Sequence, residues 1–356
     1  MQTPVYDRSK PVLVTGATGY VAGWIVKRLL EEGLTVHATA RDPGNTASHD
    51  HLTRIAARTG GELRLFKADL LDPAGFDAAM AGCGVVMHTA SPFITTVADP
   101  RRDLVDPAVN GTRNVLAAVN RADSVSRVVL TSSCAAIYGD AADCAQAPGG
   151  VLNEAVWNSS SDLAHNPYSH SKTLAERAAW EIAGAQHRWT LVAINPALVL
   201  GPGLAGRQTS ESFRLIRQLG GGAMKPGVPD IEIGMVDVRD VAEAHLRAAF
   251  LPGAQGRHIV FAETRSFLSL AQALRAAHGD AYPLPRRELP KWLVWLVGPL
   301  ANKALTRRFV ARNVGHAWRA DNGKAMRDLG MTWRPVDGAV AAMFARMVDS
   351  GQIARR

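Results

Sequence analysis

Seven consecutive residues, Asn166-Pro167-Tyr168-Ser169-His170-Ser171-Lys172, put a phenol four residues ahead of an ammonium at the head of a predicted helix. Positions i and i+4 share a helix face, so the Lys172 charge can sit beside the Tyr168 ring and favour its phenolate. Pro167 suits the first helical turn, where the positive end of the helix dipole acts in the same direction. A tyrosine so placed can trade a proton near neutral pH. Upstream, Leu130-Thr131-Ser132-Ser133-Cys134 closes an apolar run. A serine at such a strand end can hold a carbonyl oxygen while Tyr168 protonates it, although polar residues there also form ordinary turns.

A second constellation is built to receive phosphates. Thr15-Gly16-Ala17-Thr18-Gly19-Tyr20-Val21-Ala22-Gly23 follows an apolar strand and opens a helix, the context in which a glycine pattern signals a dinucleotide site. Gly16 permits the tight turn, Gly19 lets the backbone approach a pyrophosphate, and Ala22 keeps helix and strand close. The helix N-terminus then faces the phosphates, so Thr15, Gly16, Thr18, Gly19, Tyr20 and Val21 are the expected cofactor contacts. After the second strand an acid would grip a ribose 2′-hydroxyl, whereas an arginine accommodates a 2′-phosphate. Here the strand runs into Arg41-Asp42-Pro43; Arg41 comes first and favours NADPH. Asp42 either starts a turn or serves the ribose of NAD if the strand is one residue longer. By position, Asp69 and Leu70 after the third strand bracket the adenine, with helix capping the competing role for Asp69. Thr89, Ala90, Ser91 and Pro92 after the fourth lend backbone groups to the nicotinamide ribose.

These residues need a scaffold that gathers strand ends. Apolar runs at 11–15, 34–40, 63–67, 85–89, 128–131 and 190–195 read as buried strands, and the amphipathic stretches 20–32, 76–81, 107–120 and 168–185 as helices. The alternation predicts an α/β fold, a doubly wound parallel sheet of Rossmann type with ligands at the carboxyl ends of its strands. It breaks down over the Gly- and Pro-rich segment 201–234, then resumes with a helix at 237–250 and a strand at 257–261 that rejoins the sheet. Most of the chain beyond that strand reads as short helices of a smaller, mostly helical C-terminal lobe. The expected division is a cofactor domain over 1–200, with 237–262 returning to it, and a substrate lobe over 201–236 and 263–356, meeting at a cleft. Trp292, Trp295, Trp318 and Trp333 are expected to fill that lobe's core more often than touch substrate. His170 and His245 read as surface or packing residues.

With 356 residues, 47% hydrophobic and 20% charged, the chain can bury one large core or two unequal ones. The opening MQTPVYDRSK has no apolar run behind its charges, and the most apolar segment, Leu293 to Leu300, is too short to span a bilayer. Cys83, Cys134 and Cys144 form no CxxC pair and no even set, which fits free thiols in a reducing, cytoplasmic compartment. The net charge of +8 comes from scattered basic residues with no long Lys/Arg run. A small phosphorylated molecule, rather than nucleic acid or a membrane, is therefore the expected partner. No His/Cys/Asp cluster has metal-ligand spacing.

Taken together, the motifs resemble the extended short-chain dehydrogenase/reductase superfamily, with its TGxxGxx[AG] loop, a serine after the fifth strand and YxxxK on the next helix. Thr39-Ala40-Arg41-Asp42-Pro43, His88-Thr89-Ala90-Ser91-Pro92, PAVNGTRN at 107–114, Ser171-Lys172-Thr173-Leu174-Ala175-Glu176 and Asn195-Pro196-Ala197-Leu198-Val199-Leu200-Gly201-Pro202 resemble its dihydroflavonol reductase and cinnamoyl-CoA reductase branch. The likeness covers residues 10 to 262 well and the remainder poorly; the loop from Asp140 to His165 has no clear counterpart. It implies Tyr168 as general acid, Lys172 as the partner that lowers its pKa and anchors the nicotinamide ribose, with Tyr168 also among the cofactor contacts, and Ser133 as carbonyl orienter. It also sets Pro196 and Val199 beside the nicotinamide. Sugar-epimerase spacing would instead choose Cys134, and Ser132 is expected to be buried. Asn110 or Asn114 could support a water or backbone nearby, although an asparagine near a helix end is more often structural. The implied activity is NADPH-dependent, reversible reduction of an aldehyde or ketone with an apolar or aromatic body. The rivals are an NAD-dependent nucleotide-sugar epimerase or dehydratase and a non-catalytic dinucleotide sensor. A homodimer is the expected assembly by analogy.

Overall fold

The structure, a computed structural model, describes residues 3–91, 97–206, 208, 210–302 and 304–354, so Pro92 lies outside the described residues. Seven strands make the central sheet: β1 (Val12–Val14), β2 (Thr35–Ala40), β3 (Glu62–Lys67), β4 (Val85–His88), β5 (Arg127–Thr131), β6 (Thr190–Pro196) and β10 (Gly256–Val260). Their order is β10-β6-β5-β4-β1-β2-β3 and every pairing is parallel. The winding reverses between β1 and β4, the switch point outside which a crevice opens at the carboxyl ends. Strands covered on both faces need continuous apolar runs. Val12, Leu13, Val14, Val128, Val129, Val192 and Ile194 are accordingly all buried.

Successive side chains of a strand point to opposite faces, so β1 feeds two cores. Val12 and Val14 join Ile25, Val26 and Leu29 of α1 (Tyr20–Glu31), Leu52 of α2 (Asp50–Ala56) and Leu246 of α7 (Val238–Phe250). Leu13 joins Met80 of α3 (Asp77–Met80), Val115 and Leu116 of α4 (Asp106–Arg121) and Ala179 of α5 (Pro167–Gly184).

Beyond β6 the chain holds further strands that the sequence reading did not anticipate. β7 (Leu198–Leu200) and β11 (Glu263–Ser266) flank β9 (Glu232–Asp237) in a three-stranded sheet, and β8 (Val228–Pro229) pairs with β12 (Glu288–Leu289). The sequence of β11, Glu-Thr-Arg-Ser, has no apolar residue to betray a strand. The Gly- and Pro-rich segment also contains α6 (Glu211–Gly221), which packs Phe213, Ile216 and Leu219 against α8 (Phe267–His278) and α12 (Val336–Asp349). The remaining helices are α9 (Lys291–Ala301), α10 (Arg307–Asn313) and α11 (Gly323–Asp328). Trp318 is buried as core, edge-on to Phe261, and Gly234 is required beneath it because a Cβ would stand 2.3 Å from the indole. Trp292 and Trp295 do not fill core; they lie exposed on α9. All three cysteines are free and buried. Among the described residues no helix is long and apolar enough to cross a membrane, and no group of His, Cys, Asp and Glu could hold a metal ion.

Three buried histidines carry a pH dependence. His245 Nδ1 donates to the Val241 carbonyl and its Nε2 accepts from Thr131 Oγ1, both at 2.7 Å, and burial pushes its pKa down to about 4. Burial, aided by the charges of Lys172 and Lys324, pushes His88 and His258 down to about 3. A folded pKa below the unfolded one means that the unfolded chain binds the extra protons. The stabilisation is full above pH about 6.5 and shrinks as pH falls from there toward the folded values. Near pH 5 these groups should make stability fall by about 4 kcal/mol per pH unit. Urea unfolding at neutral pH and in steps down to pH 5 measures the slope; a flat profile would mean that the native imidazoles are charged.

Candidate active site

β1 delivers the chain into the glycine loop at Thr15, which is buried. Its Oγ1 accepts the Thr89 and Ala90 amides at 3.1 and 3.0 Å and meets His88 Nδ1 at 2.9 Å. With both lone pairs so used, the hydroxyl proton goes to Nδ1, and the network assigns His88 the neutral Nε2–H tautomer. Gly16 has φ 64°, and a Cβ there would stand 3.0 Å from Ala90 Cα. The left-handed backbone and the close β4 loop thus both demand glycine. The Gly16 amide donates to Thr39 Oγ1 at 3.0 Å, fixing the loop to β2. Tyr20 spends its hydroxyl on the Gly201 carbonyl at 2.7 Å. Tyr20 therefore offers a ligand backbone rather than side chain, whereas Thr15 is spent on both counts, its amide donating to the Met87 carbonyl and its carbonyl accepting from Thr89 Oγ1. No side chain caps α1 at Gly19, and no acid stands in its first turn, so the first-turn amides at Tyr20 and Val21, next to Thr18, are free for an anion.

β2 ends at Ala40, which makes Arg41 the first residue beyond the strand, and it is exposed. Asp42 is used in a turn, its Oδ1 accepting the Gly44 amide at 2.9 Å. Asp69 is exposed and accepts the Leu71 amide at 2.9 Å; it caps no helix, since α3 starts beyond Phe76. Asn114 of α4 donates to the Leu70 carbonyl at 2.8 Å, whereas Asn110 is exposed.

At the other end of the crevice, α5 starts with Tyr168 in its first turn and 52% exposed. Lys172 Nζ lies 5.9 Å from the Tyr168 ring centroid and donates to Ser91 Oγ at 3.2 Å, so the YxxxK helix meets the loop after β4. Ser133 is part-exposed and its Oγ accepts the Ala135 amide at 3.1 Å, which leaves its proton free to donate. Its neighbours turn inward. Ser132 donates to Glu176 at 2.5 Å, and Cys134 donates to the Asn195 carbonyl at 3.2 Å, with burial pushing the thiol pKa well up. Pro196, buried, ends β6, and half-buried Val199 lies in β7. The loop beyond β7 is latched to α1 by Trp24 Nε1 on the Pro202 carbonyl at 2.8 Å. His170 is half-buried.

Two buried carboxylates that the sequence reading did not single out hold this arrangement. Glu176 accepts from Ser132, from Asn195 Nδ2 at 2.8 Å, from Trp180 Nε1 at 3.2 Å and from Arg257 Nε at 2.6 Å. Arg257, on β10, also donates to the Glu154 and Val156 carbonyls at 2.9 and 2.6 Å. Asp140 accepts from His165 at 2.8 Å, and from Arg312 and Asn313 of α10 at 2.6 and 2.7 Å. Burial raises the Asp140 pKa, but these donors outweigh it and hold the carboxyl below its ordinary range. Asn166, left-handed at φ 53° just before α5, donates to Asp140 and to the Gly139 carbonyl. The signal for Glu176 was its place four residues after Lys172, and for Asn166 the tolerance of asparagine for that backbone. Glu176→Ala strands the Arg257 guanidinium and should cost about 3–5 kcal/mol in urea unfolding. A loss below about 1 kcal/mol would show that the guanidinium finds other partners.

Residues 12–261 match the NAD dependent epimerase/dehydratase family. The chain is 38% identical over 275 residues to a cinnamoyl-CoA reductase of Medicago truncatula, covering 76% of this chain and 81% of that protein. It is 37% identical over 280 residues to a (2S)-flavan-3-ol-forming anthocyanidin reductase of Vitis vinifera, covering 74% and 80%. The fold is similar to that of the yeast methylglyoxal/isovaleraldehyde reductase Gre2 in complex with NADPH, with a TM-score of 0.77 and 26% identity over 97% of this chain and 100% of that one. From the glycine loop through β10, then, the chain belongs to the NAD dependent epimerase/dehydratase family of extended short-chain dehydrogenase/reductases, in the branch of the cinnamoyl-CoA and anthocyanidin reductases.

Proposed function

We propose that this protein is an NADPH-dependent reductase of aldehydes or ketones with an apolar or aromatic body, working reversibly through Ser133, Tyr168 and Lys172. The observation that carries this reading is the contact of Lys172 with Ser91, one helical turn beyond an exposed Tyr168. It joins the proton donor's helix to the loop where a nicotinamide ribose would lie. The relatives named above are reductases, and one was solved with NADPH.

The chain's own residues fit the nucleotide. Gly16 lets the glycine loop close onto the loop after β4, uncapped α1 presents free amides for the pyrophosphate, and Arg41 stands exposed for a 2′-phosphate. Asp69 and Leu70 would flank the adenine, Thr89 to Ser91 the second ribose, and Pro196 and Val199 the nicotinamide. When bound, NADPH supplies a hydride to the carbonyl carbon. Ser133 donates a hydrogen bond to the carbonyl oxygen and steadies it while Tyr168 gives that oxygen a proton. The Lys172 charge stabilises the phenolate left behind, and in the oxidative direction the same phenolate takes the proton back.

Tyr168→Phe should lower turnover of an aromatic aldehyde with NADPH by about 10²–10⁴-fold while NADPH affinity, followed by nucleotide fluorescence, stays the same. Undiminished turnover would remove Tyr168 as the acid. Separately, Arg41→Ala should raise the KM for NADPH by about 10–100-fold, the worth of a hydrogen bond to a charged phosphate, and leave the KM for NADH unchanged. Equal changes for both coenzymes would show that Arg41 does not select between them.

A further inference from the structure

α9 is apolar on every side and yet lies at the surface. Val294 and Gly298 face inward, against Leu305 and a small cluster with Ile231 and Val310. Trp292, Trp295, Leu296, Val297 and Leu300 are exposed, Trp292 at 67% and Leu300 at 87%. At about 100° per residue, Leu296 points away from the Val294–Gly298 edge, with Trp292 and Leu300 one turn to either side. No charged residue interrupts the helix after Lys291. A helix that is hydrophobic all round belongs in a core or against an apolar phase, and a contiguous exposed patch marks an interaction surface.

The surrounding charge identifies the partner. Residues 281–320 contain eight lysines and arginines against one acid, Glu288; Arg286, Arg308 and Arg312 pair with Asp280, Asp162 and Asp140, and the remaining cations leave the stretch basic. The Arg307 guanidinium lies 4.6 Å from the Trp295 ring centroid, and Lys291 holds the other end of the helix through the Ala311 carbonyl at 3.0 Å. Leucines that enter the acyl boundary, indoles at headgroup depth and flanking cations are what a helix lying in an anionic bilayer surface needs. We propose that α9 docks the protein on an anionic lipid bilayer. With 11 residues the helix is far too short to cross one. A membrane partner is not what the sequence led one to expect, but a helix lying in the surface needs neither a spanning length nor a continuous basic run. A second copy seated on this face would bring two strongly basic surroundings together, which disfavours it as the occupant.

Flotation of the full chain with vesicles of phosphatidylcholine alone, and of phosphatidylcholine mixed with phosphatidylglycerol, tests the proposal. Binding to the anionic vesicles, weakened by salt and accompanied by a blue shift of tryptophan emission, is expected. The double variant Leu296→Ser/Leu300→Ser should bind about tenfold more weakly or worse with its melting temperature unchanged. Absence of flotation with anionic vesicles at low salt would overturn the proposal, as would equal binding by the double variant. A lipid-free dimer that the same variant dissolves would assign the face to a second copy instead.

Discussion

The carboxylate of Glu176 is enclosed by four donors, and through them α5 is tied to the end of β5, to β6, to β10 and to the segment between Ala136 and Val156. A buried charge tolerates such a place only when its partners are fixed, because loss of any one leaves a desolvated group unpaired. That constraint sets the height and rotation of α5 over the sheet. Tyr168 and Lys172 stand about two turns and one turn before Glu176 on the same helix, so their positions follow from it. Ser133 is also placed by it, since turning Ser132 inward to Glu176 obliges the next side chain to turn outward.

The other half of the site rests on the neutral side chains under the glycine loop. Thr15 gathers the β4 loop onto β1, and Gly16 comes so close to Ala90 that the two loops form one surface. His88 beneath them stays uncharged, its pKa depressed first by burial and then by the Lys172 charge. A protonated imidazole there would repel Lys172 from the place where it meets Ser91. The chain thus sets one ammonium at the crevice and keeps the imidazole buried beneath it neutral.

Much of this was legible in the sequence because the signals are local. Parallel strands buried on both faces must be apolar runs, and the helix over 167–184 and the strand over 190–196 fall within a residue or so of expectation. The Tyr168/Lys172 spacing and the glycine loop are likewise complete within a few residues. What could not be read depends on distant partners. Ser133 could not be separated from Cys134 by spacing alone, since one residue turns a side chain from crevice to core and only the positions of Glu176 and Asn195 decide which. Arg312 meets Asp140 across 172 residues of chain. The small sheet of β7, β9 and β11 is made of short, partly polar strands, and the tryptophans of α9 obey a surface role that composition hides.

The central claim is that a hydride from NADPH and a proton from Tyr168 meet at one carbonyl. Reduction of an aromatic aldehyde with C4-deuterated NADPH, followed by mass spectrometry and NMR of the alcohol, tests it most directly. The account predicts deuterium on the carbinol carbon and none there from heavy water with ordinary NADPH. Solvent-derived deuterium on that carbon, with none passed from the cofactor, would contradict it.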